Sequence, residues 1–297
     1  MSLPPSTFNP KPVLRPLRGV RVLSLALNLP GPAALMRCRQ MGATCVKLEP
    51  PSGDPMGHYN KPAYAQLHEG VKVLGADLKT AAGQKAAHRA LAKTDVLLTS
   101  FRPSALDKLG LGWKALHRLY PALSQVAIVG APGARAEEPG HDLTYLADNG
   151  LVNGLELPPT LYADMGGSLM ASEAVLQATL AQRATGRGVF IEVALSSAAS
   201  YLALPRSWGL TLPTGSVGGA HAGYRVYPCK DGRVAVAALE PHFAAALCAA
   251  AGLKASDMRA MFAPTTHLVI AAFLLTQTRK QLDRLAVQQD IPLQTLA

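Results

Sequence analysis

Arg18-Gly-Val-Arg-Val-Leu-Ser-Leu-Ala-Leu27 runs through Asn28-Leu-Pro-Gly-Pro32 into a helical stretch that Gly42 stops, and then into Thr44-Cys-Val-Lys-Leu-Glu49. The aliphatic and β-branched flanks predict strands, and the Pro-Gly-Pro step predicts a helix start between them, with the helix over 33–41. The alternation continues: strands are expected over 71–77, 95–99 and 123–129, with helices over 80–93 and 103–120 between them. Strands that alternate with helices close into a mostly parallel, doubly wound sheet. The turn after the first strand cannot serve as the Gly-x-Gly-x-x-Gly fingerprint that cradles a pyrophosphate, which argues against a dinucleotide dehydrogenase.

Beyond Ala131 comes a Pro/Gly-rich loop, followed by an expected helix over 141–149, a Pro-rich loop, and a small-residue helix over 166–185 that Gly186-Arg-Gly188 ends. A strand over 189–195 and a helix over 196–204 complete a large α/β domain, 17–204, preceded by a proline-rich arm, 1–16. Residues 205–223 are poor in charge and rich in Gly, as in a linker. A smaller α+β domain, 224–297, opens with a hairpin around Lys230-Asp-Gly232 and continues with helices from Pro241, Ser256 and about His267, with no further strand expected.

The 297 residues, 49% hydrophobic and 16% charged, suffice for a packed core without disulfides or structural metal. The longest apolar stretch, around 267–275, is half of what a membrane span needs, and the N-terminus carries no apolar signal region, so the expected address is the cytoplasm. Cys38, Cys45, Cys229 and Cys248 show no C-x-x-C spacing and are expected to be reduced core thiols. The net charge of +10 favours anionic ligands. With 5% aromatics and no basic run or DNA-binding pattern, a phosphorylated small molecule fits that charge at least as well as nucleic acid.

Three segments could carry chemistry. His141, in Pro139-Gly-His-Asp142, stands at a loop-to-helix junction where helix amides favour negative charge; it has a catalytic reading and a capping one. Asp164 precedes a Gly-Gly step at the expected start of the long helix, where an N-cap is the plain alternative. Glu240, before Pro241, sits at a strand end and has the same alternative.

Taken together, these segments stand in the order of a known family. Met41-Gly-Ala-Thr-Cys-Val-Lys-Leu-Glu-Pro-Pro-Ser-Gly-Asp54, Ala76-Asp-Leu-Lys79, Arg102-Pro103, Lys108-Leu-Gly-Leu-Gly112, Gly140-His-Asp142, Ala163-Asp-Met-Gly-Gly167, Thr185-Gly-Arg-Gly188 and Asp231-Gly-Arg-Val-Ala-Val-Ala-Ala-Leu-Glu-Pro241 follow one another with its spacing. The chain resembles the class III CoA-transferase (CaiB/BaiF) family, most of all its 2-methylacyl-CoA racemase branch. The resemblance implies an interlocked homodimer acting on acyl-CoA, with no cofactor beyond the CoA thioester substrate, no metal, and neither nucleic acid nor membrane as partner. It places the shared catalytic carboxylate at Asp164. In transferases that carboxylate is a nucleophile; in racemases it is one of two bases, the other being His141 supported by Glu240. The presence of all three favours racemisation, with CoA transfer as the alternative. Ala76, Lys79, Arg102 and Lys108 are implied to line the CoA path, where solvated charge is the plain alternative for the lysines, and Asp142 and Tyr145 the pocket. The segments at 67–74 and 128–135 depart from the pattern, and a segment that returns to the large domain after the small one is missing. A member that has lost turnover and serves as a binding partner is therefore the third expectation.

Overall fold

The computed structural model describes residues 14–254 and 258–297. Most of the expected arm and the helix start at Ser256 lie outside the described residues. The chain divides into two compact units between Ala203 and Leu204.

In chain order the first unit contains β1 (Arg21–Ser24), α1 (Pro30–Gln40), β2 (Thr44–Glu49), α2 (Met56–Tyr59), α3 (Lys61–Leu67), β3 (Lys72–Gly75), α4 (Ala81–Leu91) and β4 (Val96–Thr99). There follow α5 (Pro103–Lys108), α6 (Trp113–Leu119), β5 (Ser124–Val129), α7 (Asp142–Asp148), α8 (Tyr162–Thr185), β6 (Phe190–Ala194) and α9 (Leu195–Leu202). The strands form one six-stranded sheet in the order β3-β2-β1-β4-β5-β6, every pairing parallel. Helices cover both faces, so the central strands are buried on both sides and read as continuous apolar runs. Val22, Leu98 and Val126 pack with Leu35 of α1 and Val175 of α8 on one face. Leu23 and Leu97 pack with Leu91 of α4 and Leu116 of α6 on the other. The strand order reverses between β1 and β4, which opens a crevice outside their carboxyl ends.

Three departures from the sequence pattern have local causes. The single helix expected over 103–120 is two, because Gly110 adopts φ +70° and ends α5, and Gly112 then caps α6. The short helices α2 and α3 fill the stretch between the second and third expected strands, to which the sequence pattern assigns no element. The long helix starts at Tyr162 rather than at Gly166. Gly166 and Gly167 do not open it; they lie where α8 packs against α9, and a Cβ at Gly167 would collide with the Leu195 side chain.

The second unit contains α10 (Leu204–Ser207), β7 (Tyr224–Cys229), β8 (Gly232–Ala237), α11 (Pro241–Ala250), α12 (Pro264–Thr276), α13 (Arg279–Gln289) and β9 (Leu293–Leu296). Its Gly-rich opening is more than a tether: it holds α10 and a turn of 3-10 helix at Ser216–Gly218, and Ala222 is fully buried in the unit's core. The expectation of no further strand is corrected. β9 pairs antiparallel with β8, Leu293 opposite Val236 and Leu296 opposite Arg233. Four residues behind a proline display too little alternation to be recognised in sequence. The last helical stretch is broken at Thr278, which accepts a hydrogen bond from Gln281 N and restarts the chain as α13. No helix among the described residues is long and apolar enough to cross a membrane.

Candidate active site

The carboxyl ends of β1, β4, β5 and β6 surround a cavity of about 710 Å³. Its walls come from the loops that follow those strands and from the first turns of the next helices, as the reversal of strand order dictates. His141, Tyr145 and Asp164 line it together with Arg102 and, from the α2 side, Tyr59.

Asp164 owes its position to the early start of α8. It lies in the first turn of that helix, not at the N-cap. Helix starts leave backbone N–H groups without intrahelical partners; here the Asp164 N–H donates to Asp142 Oδ1 at 2.9 Å. Asp142, buried at the start of α7, thus holds Asp164 and at the same time sets a like charge beside it. Burial and then the charge of Asp142 push the Asp164 carboxyl up to about 6, against a smaller opposing effect from His141. No described residue of the first unit donates a hydrogen bond to the Asp164 carboxylate.

His141 precedes α7 with extended backbone, and its N–H donates to Thr144 Oγ1 at 3.1 Å. That arrangement leaves the residue exposed at the cavity. Tyr145, one turn later, is buried; a Cβ at Gly130 would collide with its hydroxyl, and one at Gly140 with its hydroxyl and ring. Burial, and then the charge of Asp164, raises the Tyr145 phenol. The Tyr59 phenol is raised by burial, then by the charges of Asp54 and Asp164.

The expected CoA residues divide. Arg102 caps α5 and lines the cavity. Lys108, in the last turn of α5, does not line it, and neither do Ala76 and Lys79, which lie beyond the end of β3. The structure nevertheless brings Lys79 and Lys108 to one place: Gln84 donates to the Leu78 carbonyl at 2.6 Å and to the Leu109 carbonyl at 3.0 Å, tying the two turns together. Nearby, Glu137 accepts from Ser104 N at 2.7 Å and Ser104 Oγ at 2.9 Å. These bonds, then the charges of Arg102 and Lys108, hold its carboxyl below the usual range. Glu240 belongs to the second unit, exposed at the N-cap of α11 without a side-chain capping bond.

The family model of CoA-transferase family III matches residues 17–297. The chain belongs to that family. Alpha-methylacyl-CoA racemase of Homo sapiens is 30% identical over 260 residues, which cover 82% of this chain and 66% of the relative. Succinyl-CoA--D-citramalate CoA-transferase of Chloroflexus aurantiacus is 32% identical over 198 residues, covering 61% of this chain and 49% of the relative. The chain thus spans less than two thirds of the length of these curated relatives. The fold is that of a CaiB/BaiF family protein from Brucella suis, with a TM-score of 0.80 at 22% identity over 96% of this chain and 85% of that one. A hypothetical protein from Mycobacterium tuberculosis superposes with a TM-score of 0.82 at 22% identity, covering 96% of this chain and 86% of that one. This is an enzyme family, and its members include both racemases and CoA-transferases.

The sequence left Tyr59 and Asn28 unread. Tyr59 lies in a helix too short to show periodicity. Asn28 lines the cavity with φ 64°, and the available signal was its place in the turn after the first strand, where Asn tolerates left-handed backbone.

Proposed function

We propose that the chain is an acyl-CoA racemase or epimerase that inverts the carbon α to the thioester by two-base proton transfer between His141 and Asp164. One observation carries this reading: the Asp164 carboxyl, pushed up to about 6 by burial and by Asp142, lines the same cavity as the His141 imidazole, so two groups able to carry a proton face one ligand site. Neutral His141 takes the α-proton from one face, and the electron pair of the C–H bond moves into the enolate. Protonated Asp164 delivers its proton to the other face and becomes the carboxylate. The imidazolium and carboxylate serve the opposite enantiomer, or return to the starting pair by exchange with water. Arg102, Tyr59 and Tyr145 are the side chains at hand to orient the thioester and its enolate oxygen. The basic turns at Lys79 and Lys108 are assigned the phosphates of CoA. Acyl-CoA is then the ligand that the positive charge serves, and the homodimer implied by the sequence resemblance is the assembly proposed with it.

The test is α-proton exchange followed by NMR with a 2-methylacyl-CoA in deuterated water. Deuterium incorporation with inversion in wild type is the expected result, with inversion lost in His141→Ala and in Asp164→Asn while each variant exchanges only the enantiomer that faces its remaining base. No incorporation by folded wild-type protein, together with an Asp164 thioester trapped by hydroxylamine, would replace this reading with CoA transfer, the activity named for the Chloroflexus relative.

A further inference from the structure

A second group of charges lies behind the cavity wall, and proton transfer does not use it. Lys47 of β2 is fully buried; its ammonium meets Asp54, Glu49 Oε1 at 3.1 Å and His68 Nε2 at 2.8 Å. An ammonium has three N–H donors and no acceptor. All three are therefore taken, and His68 accepts at Nε2 while its Nδ1–H donates to the Tyr64 carbonyl at 2.7 Å. Tyr64 in turn donates from its hydroxyl to Glu49 Oε1 at 2.9 Å. Glu49, Asp54 and His68 offer ligand atoms within 4.8 Å of one another, a donor set that could hold a metal ion. Here the ammonium supplies the positive charge.

What Lys47 holds in place is Asp54, and Asp54 holds the wall. Its carboxylate accepts from Asn28 N at 3.1 and 3.2 Å and from Met56 N at 2.9 Å. Asn28 keeps a left-handed φ of 64°, a conformation that a non-glycine residue retains when its surroundings fix it. Met56 begins α2, and Asn28, Met56, Tyr59 and Asn60 all line the cavity.

We propose that Lys47, seated on His68, Glu49 and Asp54, is a positioning residue that sets the cavity wall carrying Asn28 and Tyr59 for the substrate on which His141 and Asp164 act. The identity of that substrate rests on the proposed function; the positioning does not. The test compares full-length Lys47→Met, His68→Leu and His68→Gln with wild type by amide hydrogen exchange at Asn28 and Met56, with amides of β4 and β5 as internal references. Lys47→Met is expected to speed exchange at Asn28 and Met56 by at least about tenfold, His68→Leu by less, and His68→Gln, which restores an acceptor, by least. In the same variants kcat for α-proton exchange is expected to fall by about tenfold, with a smaller change in KM. Unchanged exchange at Asn28 and Met56 overturns the proposal, and so does equal acceleration in β4 and β5, which would mark a general loss of stability. Should Lys47→Met fail to fold, the two His68 variants decide. Because amide exchange needs no substrate, a wild-type protein without α-proton exchange would remove the functional reading and leave this one standing.

Discussion

Two carboxylate clusters stand in the same unit and are built in opposite ways. Around Lys47 every ammonium proton has an acceptor, and Asp54 commits its oxygens to Lys47 and to the Asn28 and Met56 amides. Around Asp164 the nearest carboxylate is a like charge, Asp142, bound to the Asp164 backbone rather than to its side chain. A buried charge with its full set of partners stays where it is, and removing one partner exposes the rest to the cost of burial. A carboxylate left short of partners has its pKa moved toward neutrality and can exchange a proton at working pH. The difference separates residues that hold the cavity from residues that use it.

The largest effects should fall along that division. His141→Ala and Asp164→Asn are expected to slow racemisation by about 10³-fold, with the Kd for the CoA thioester nearly unchanged. Lys47→Met should instead loosen the wall it holds, with faster amide exchange at Asn28 and Met56 than in β4 and β5, because the carboxylates it leaves unpaired reach water when that wall opens. A Lys47→Met protein with wild-type exchange at Asn28 and Met56 that had lost all activity would break the comparison.

The pH profile sharpens it. Racemisation needs one proton shared by His141 and Asp164, so its rate should trace a bell that declines once both members are protonated or both are not. Its centre is set in part by Asp164 at about 6. A transferase needs only the ionised carboxylate, and its profile would rise through about 6 to a plateau. Asp142→Asn keeps an oxygen for the Asp164 N–H and removes the like charge. The profile should then move to lower pH, and an unmoved profile would mean that burial alone sets the Asp164 pKa.

Much of this is legible in sequence where residue type and periodicity agree. The β-α-β opening can be read because β1 and β2 carry aliphatic runs around a proline-marked helix start. The motifs around His141 and Asp164 point to two residues that the fold brings to one cavity. The start of α8 is not legible: Gly166-Gly167 looks like a helix boundary but serves close packing against Leu195 and Leu202, a tertiary cause with no local signature. With the true start four residues earlier, Asp164 is no cap, and its partner Asp142 lies 22 positions away. Lys47 and His68 are equally opaque, since a lysine in a strand ordinarily reads as exposed.

The smallest expected effect concerns stability, and it sets the two clusters against each other. Asp164 is held at about 6, above the ordinary aspartate value of 3.8, so the folded chain resists its ionisation. Its contribution to stability is present in full below 3.8 and is lost as pH rises through 6. Asp164→Asn, inactive, should therefore be more stable than wild type at pH 8. Each tenfold change in proton affinity corresponds to about 1.4 kcal/mol, and partial solvent access trims the total to about 1–2 kcal/mol. Near pH 3.5 the gain should vanish. His68 has the opposite sign: burial lowers its pKa from 6.5, because a charged imidazole would be desolvated and would face Lys47. Its stability is complete above 6.5 and is lost as pH falls through the lowered folded value. Acid thus relieves the cluster that does chemistry and strains the one that holds the wall. Urea midpoints of Asp164→Asn and His68→Gln across pH 4 to 8 should show gains that grow toward opposite ends of that range; gains growing toward the same end would contradict the assignment of roles.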